Sequence, residues 1–437
     1  MKKEKIDLFL HPIHRFMQAT TTAGIALMAS AVVALVWANS PWQESYYHLW
    51  EYNLTISLAD FAVSKSLHHW INDGLMSIFF FVVGLELKRE ILAGELSSLR
   101  RALLPLVAAA GGMIVPAVLY LTFNPHEPQA AGWGIPMATD IAFALGIISL
   151  LGNRVPVSLK IFITALAIAD DLGAVLVIAF FYTSDISLLS LGAGAGFMIV
   201  LVTANYLGVR STLFYAIVGI AGLWLAFLMS GVHATIAGVL LAMIIPARTK
   251  IDELTFTDQL KKFVAEFASI PPNKVTLLEP EQNHVIHKIH KITSAATTPL
   301  QHLEHNLHPW VAFGIMPLFA LANSGIEISS SLFTSTFFAG ISMGIFTGLV
   351  LGKVTGVFLS SWIVVKLNLA VLPQGVTFKH IFGAGLLAGI GFTMSIFITG
   401  LAFTDQATLT EAKVGVFMAS TVAGLLGYSY FRWVVPK

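Results

Sequence analysis

Cysteine is absent from the 437-residue chain, which excludes disulfides, thiol catalysis and cysteine-ligated zinc or iron–sulfur centres. Charge is scarce as well. Only 11% of residues are Asp, Glu, Lys or Arg, against 56% hydrophobic, and the mean hydropathy is +0.79, whereas a soluble domain carries about 25% charged residues. The net charge is only +1, and the basic residues are scattered over short segments, so there is no electrostatic footprint for nucleic acid. An extended alternating strand pattern is also missing. What recurs along the chain is apolar stretches of about 20 residues, the length a helix needs to cross roughly 30 Å of hydrocarbon. The expectation is an all-α polytopic membrane protein in contact with lipid.

Residues 1–437 read as one membrane domain with twelve spans, near residues 19–38, 73–92, 102–123, 132–151, 158–182, 187–207, 211–228, 231–246, 309–326, 336–365, 381–403 and 412–432. The start, Met1-Lys-Lys-Glu-Lys5, has the charge of a signal-peptide n-region, but the apolar run that follows is long and lacks a cleavage site, so it is read as a retained first span. An even number of spans puts both termini on one side. Every Lys and Arg falls on that side except Lys65, Lys413 and the intramembrane Lys353, so both termini are expected to be cytoplasmic. Residues 39–72 then form a periplasmic loop in which Leu54-Thr-Ile-Ser-Leu58 has the alternation of a short strand, consistent with a hairpin that serves dimer contacts. Residues 247–308 form a long, charged, histidine-rich cytoplasmic loop, a linker or regulatory element.

Two spans have a broken texture. Gly132-Trp-Gly-Ile-Pro-Met-Ala-Thr-Asp140 and Gly383-Ala-Gly-Leu-Leu-Ala-Gly-Ile-Gly-Phe-Thr-Met-Ser395 carry glycine, proline and hydroxyl residues that weaken a continuous helix. They occupy matching places in two three-helix groups that start from opposite sides, as inverted repeats do. Paired interruptions of this kind mark a midplane binding site in secondary transporters.

An ionisable group at the bilayer centre costs about 2.5–3.5 kcal/mol on insertion scales. Four lie deep inside apolar runs: Asp140, Asp170, Asp171 and Lys353. Asp170 and Asp171 are adjacent, so they project about 100° apart on a helix and are expected to have different partners. Burial, mutual repulsion and a neighbouring ammonium together set where such carboxylates bind protons. A hard alkali cation wants oxygen ligands, and Thr139, Asp140 and Asp171 supply them. If a cation and H+ compete for the same carboxylates, alternating access converts that competition into exchange. Lys353 is expected either to hold Asp170 or to offset the ends of the interrupted helices. A structural tether is the plainer reading for a lone buried charge, Lys353 above all. Asp73, at the mouth of the second span, reads equally well as a helix N-cap, and His233 as a satisfied buried histidine.

Gly84-Leu-Glu-Leu-Lys-Arg-Glu90, Ala138-Thr-Asp-Ile-Ala-Phe-Ala-Leu-Gly146, Ala165-Leu-Ala-Ile-Ala-Asp-Asp-Leu-Gly173, Ser230-Gly-Val-His-Ala-Thr235 and His308-Pro-Trp310 together resemble the signature stretches of bacterial NhaA-type Na+/H+ antiporters. The resemblance runs from the first span to the last, and that family is among the transporters from which the rule of paired interruptions is drawn. It implies that Asp171 is the principal cation-binding carboxylate, that Asp170 is its neighbour coupled to Lys353, and that Asp140 with Thr139 marks the crossing of the broken helices, with Na+ or Li+ held at Asp170 and Asp171. It further implies a homodimer with no cofactor beyond the transported Na+, Li+ and H+, and exchange of each cation for more than one proton. Net charge then moves, driven by the membrane potential at about 2.3 kcal/mol per charge per 100 mV. Activation at alkaline pH through a cytoplasmic funnel is implied too, with Glu86, Lys88, Glu90, Glu304, His305 and His308 matching its lining. Histidine is the natural titrating group there. One departure stands out: the loop before His308 is longer than usual in that family and holds His284, His287 and His290, then His302, His305 and His308, each trio at spacing three. A solvated loop is the first reading of these trios, a transition-metal site or an altered pH response the second.

Rival classes fit less well. An intramembrane aspartyl protease needs its two aspartates on different helices, and a rhomboid-like serine protease needs a nucleophile remote from its histidine, whereas Ser230 and His233 share one short segment. A channel also places polar groups at the midplane; coupled proton movement separates it from a carrier.

Overall fold

The computed structural model describes residues 20–58, 61–183, 186–271, 277–327 and 340–434. It is nearly all-α. Helix α1 (Thr20–Ala38) turns through 114° into α2 (Gln43–Glu51). The bend is fixed by Asn39, whose Nδ2 donates to Leu35 O (2.8 Å) and Ile326 O (2.7 Å), and by buried Tyr46, whose hydroxyl donates to Leu321 O (2.8 Å) and accepts from Gly325 N (2.9 Å). Next comes the one departure from helix among the described residues, an antiparallel hairpin of β1 (Asn53–Leu58) and β2 (Phe61–Ser66), in which Leu54 faces Lys65 and Ile56 faces Val63.

A wide turn over Trp70–Leu75 leads into α3 (Met76–Ala93), followed by α4 (Leu99–Phe123). A tight 3-10 stretch, Gln129–Met137, stops short of α5 (Ile141–Leu150). Then come α6 (Val157–Phe181), α7 (Leu188–Tyr206), α8 (Thr212–Leu228) and α9 (Ala234–Ile244). After α10 (Glu253–Ser269), α11 (Pro280–Ala296), α12 (Pro299–Trp310) and α13 (Met316–Asn323), the chain continues with α14 (Gly340–Lys366), α15 (Phe378–Ala388), α16 (Phe392–Ala402) and α17 (Gln406–Trp433). Among the described residues six helical runs are long and apolar enough to cross a membrane: α4, Gln129–Leu150, α6, α7, α14 and α17. Two bent pairs qualify together, α1 with α2 and α15 with α16, the latter broken by 48°. The chain is thus a multi-pass membrane protein.

The segment expected to link two membrane spans, residues 247–308, is largely helical where it is described. Asp252 caps α10 by accepting from Thr255 N (2.8 Å), while Glu279 and Gln282 form a reciprocal capping box around Pro280 at the start of α11. The apolar residues Phe256, Leu260, Phe263 and Phe267 recur at helical spacing.

Glycine sets how closely the membrane helices approach. At the crossing of α4 and α14, a Cβ on Gly111 would meet Gly356 O at 2.5 Å, and one on Gly356 would press still harder on the Gly111 carbonyl. Backbone therefore lies directly on backbone there, as small-residue packing allows in a membrane. Gly356→Ala should lower the thermal unfolding midpoint in detergent by the equivalent of about 1–3 kcal/mol of overpacking. Gly192→Ala in α7, where an added Cβ meets nothing within 4 Å, should leave the midpoint unchanged.

Candidate functional site

The site is built where two helices stop inside the bundle. Glycine and proline thin out the helix before Asp140, and Gly389 and Gly391 break the run between α15 and α16, leaving backbone groups that have no intrahelical partner. The two breaks lie side by side and satisfy each other. Asp140 N donates to Ile390 O (2.7 Å), and the Thr139 hydroxyl donates to Ala388 O (2.9 Å). The Ser395 hydroxyl donates to Ile135 O (2.8 Å), and Phe392 N donates to Ser420 Oγ (3.1 Å).

Asp140 joins the two helices electrostatically. Its Oδ1 accepts from Phe143 N (3.0 Å), capping α5, while Oδ2 accepts from Thr393 N (3.2 Å) and the Thr393 hydroxyl (2.5 Å) at the start of α16. One carboxylate thus sits at two helix N-termini, where the macrodipole favours negative charge. Both of its oxygens are engaged by donors from the two helices.

Asp170 and Asp171 lie mid-way along α6, and they and Lys353 of α14 are each only 1% exposed. The Lys353 ammonium donates to Asp170 Oδ2 at 2.7 Å. The pairing that sequence left open therefore falls to Asp170. Lys353 reaches it past Gly112, whose missing side chain makes room: a Cβ there would stand 3.7 Å from Lys353 Cδ and 3.9 Å from Nζ. Asp171 points elsewhere, as the 100° rotation requires, and neither of its oxygens has a hydrogen-bond partner among the described residues. Asp170, Asp140 and Glu86 are near enough to repel a charge on it, and Lys353 near enough to attract one. A buried carboxylate with unmatched acceptor capacity calls for a proton or a cation.

The charged set at the other end of α3 divides by role. Arg89 bonds Glu304 of α12 in a short ion pair and reaches Glu90 at 3.1 Å. Glu86 feels both Glu304 and Glu90. Lys88 is committed elsewhere, donating to Met243 O (2.6 Å) and Ile245 O (2.5 Å) at the C-terminal end of α9, where a cation belongs. Burial raises the pKa of the Glu304 carboxyl, with Arg89 opposing, whereas burial, aided by Arg89 and His305, lowers that of His308. His308 is thereby disposed to the neutral form, and His305 is exposed on α12. His233 Nε2 meets Tyr182 O at 2.6 Å, the satisfied reading. Asp73 lies inside the wide turn Trp70–Leu75 rather than at a helix N-cap, close enough to His233 to interact electrostatically. No metal-binding group of three His, Cys, Asp or Glu side chains forms among the described residues.

Sequence reasoning missed Thr393, Ser395 and Ser420 as site residues. The only signal for the first two was a hydroxyl residue just after a glycine break; Ser420 enters from α17 and left none.

Comparisons with known proteins agree along nearly the whole chain. The family model described as Na+/H+ antiporter 1 matches residues 14–431. The Na(+)/H(+) antiporter NhaA of Oleidesulfovibrio alaskensis is 53% identical over 98% of this chain and 95% of its own length. The protein of the same name from Acidithiobacillus ferrooxidans is 48% identical over 98% of both chains, and Na(+)/H(+) antiporter NhaA 2 of Syntrophotalea carbinolica is 46% identical over 97% of both.

Removing one partner of a buried ion pair strands the other charge, at a cost of about 3–5 kcal/mol. Asp170→Asn should therefore lower the unfolding midpoint of the purified protein strongly. Lys353→Met on top of it should recover most of the loss, with an interaction energy in the double-mutant cycle well above that of two independent sites.

Proposed function

The chain belongs to the Na+/H+ antiporter 1 family, and we propose that its exchange of Na+ for H+ is carried by Asp171, assisted by Asp170. It is a secondary transporter of the membrane, not an enzyme. The observation that carries the residue assignment is the Asp171 carboxylate, buried in the bundle beside the Lys353–Asp170 ion pair with neither oxygen partnered among the described residues. Its two oxygens accept either a proton or a desolvated alkali ion, Na+ or Li+, and not both.

A cation drawn in by Asp171 and Asp170 competes with the Lys353 ammonium for Asp170 and weakens that pair, so binding the ion and releasing protons become one event. Asp140 and Thr139 hold the crossing of the broken helices and add negative potential without leaving their helix caps. Alternating access then opens this one site to each side in turn, and exchanging more than one proton per cation makes transport electrogenic. The wider setting belongs to the same reading: twelve spans in inverted repeats, with the crossing near the midplane; a bacterial inner membrane, with both termini cytoplasmic; and a homodimer joined through the β1–β2 hairpin.

Everted vesicles acidified inside, made from cells lacking their own antiporters and expressing this chain, test the assignment. Na+ or Li+ should dequench a pH dye, and Asp171→Asn should abolish the response while the protein remains inserted. Transport surviving that substitution would overturn the assignment.

Control by pH follows from the Arg89–Glu304 pair. Burial makes Glu304 take up a proton at higher pH than an ordinary glutamate, so the pair is complete at alkaline pH and is lost as pH falls. Glu304→Gln should move the midpoint of the pH–activity profile by about one unit. His308→Gln, at a side chain already neutral in that range, should leave the midpoint in place.

A further inference from the structure

The helical pair α10–α11 takes no part in the exchange reaction, yet it is firmly attached. It leaves the bundle after Pro246 and returns at Leu300, whose N–H donates to Pro246 O (3.2 Å); Lys250 N donates to Ala295 O (2.8 Å) one step further out. Arg210, in the connection between α7 and α8, clamps both strands of this base, donating to Arg248 O and Thr297 O at 2.6 Å each. Beside Arg210, Tyr206 and Leu207 at the end of apolar α7 are 92% and 74% exposed. The base of the pair therefore stands at the edge of the lipid-facing belt.

Within the pair, Lys288 of α11 is occupied: it bonds Glu266 of α10 at 2.8 Å and lies over the Phe263 ring, 5.6 Å from its centre. Val285 and Ile292 are buried. The opposite side of α11 is different. His284, His287, His290 and Lys291 are all exposed there, three or four residues apart along one strip. That strip holds no carboxylate. The remaining charged groups of the described pair are Glu253, Asp258, Lys261 and Lys262, exposed on α10, and Glu281, exposed at the first turn of α11. Among the described residues none of the three histidines is in an ion pair.

We propose that this strip is a pH-gated binding face for the anionic headgroups of the bilayer in which the chain sits. The strip sets one permanent charge, on Lys291, beside three side chains of the one type whose charge ordinarily changes between about pH 5 and 8. Near an anionic leaflet each added basic charge favours docking about fivefold. The bilayer is the partner chemistry selects, because the strip is purely basic and its base is pinned at the membrane rim. Only Thr297 and Thr298 separate α11 from α12, which carries Glu304, so docking bears on the helix that pairs with Arg89.

Because the chain has no cysteine, Ser294→Cys on the exposed side of α11 gives a single spin-label site. Its accessibility to a water-soluble nickel relaxer is read in full-length protein reconstituted into phosphatidylcholine alone or with about one-third phosphatidylglycerol, at about pH 5.5 and 8. Accessibility should fall several-fold only with phosphatidylglycerol at the lower pH. His284→Gln, His287→Gln and His290→Gln together should abolish that fall while Na+/H+ exchange persists. Equal accessibility in all four conditions, as a soluble acidic partner would give, overturns the proposal. So does an equal fall in phosphatidylcholine alone, a fall at both pH values, or one that survives the triple substitution. If the triple variant fails to insert, the four-condition comparison on the otherwise unaltered chain decides alone.

Discussion

Everything at the centre of this protein depends on one constraint: a helix that stops inside an apolar bundle leaves backbone N–H and C=O groups that must find partners away from water. Two helices stop here, and each supplies what the other lacks. The carbonyls of Ala388 and Ile390 accept from Thr139 and Asp140, while the Asp140 carboxylate accepts from the N-termini of both α5 and α16. The crossing is thereby satisfied from within the bundle, beside the remaining buried charges of α6 and α14.

Those charges are arranged by helical rotation. Because Asp170 and Asp171 are neighbours on one helix, they cannot share a partner. Lys353 takes Asp170, and Asp171 is left over. A fully satisfied set of buried charges would be inert, and a wholly unsatisfied one would not insert. In the function proposed above, one matched pair beside one carboxylate without a partner among the described residues leaves a site stable enough to fold and still open to a proton or an alkali ion. Close approach of the helices supports this, since Lys353 threads past Gly112 and the Gly111–Gly356 crossing holds α14 against α4.

Much of this was legible in the sequence, and for physical reasons. Asp140, Asp170, Asp171 and Lys353 stood out because charge inside an apolar run is costly, and the two broken helices because glycine and proline punctuate them. That Lys353 holds Asp170 rather than offsetting the helix ends was open in the residues alone, since α6 and α14 lie far apart in the chain and only their packing decides. Thr393 was hidden for a similar reason: a threonine in an apolar helix is ordinary until its hydroxyl is found on Asp140. The contacts of Lys88 with the Met243 and Ile245 carbonyls at the end of α9 were hidden in the same way, since only packing brings α3 and α9 together. Local chemistry is written in the chain, whereas the choice among alternative partners is made by tertiary packing.

The central claim is that Na+ and H+ compete for Asp171. It is tested most directly by calorimetric titration of the purified protein with Na+ in buffers of different ionisation enthalpy, which counts the protons released per ion bound. The account predicts measurable proton release that diminishes as pH rises and disappears, together with binding, in Asp171→Asn. Na+ binding that releases no proton at any pH, or that persists in Asp171→Asn, would contradict it.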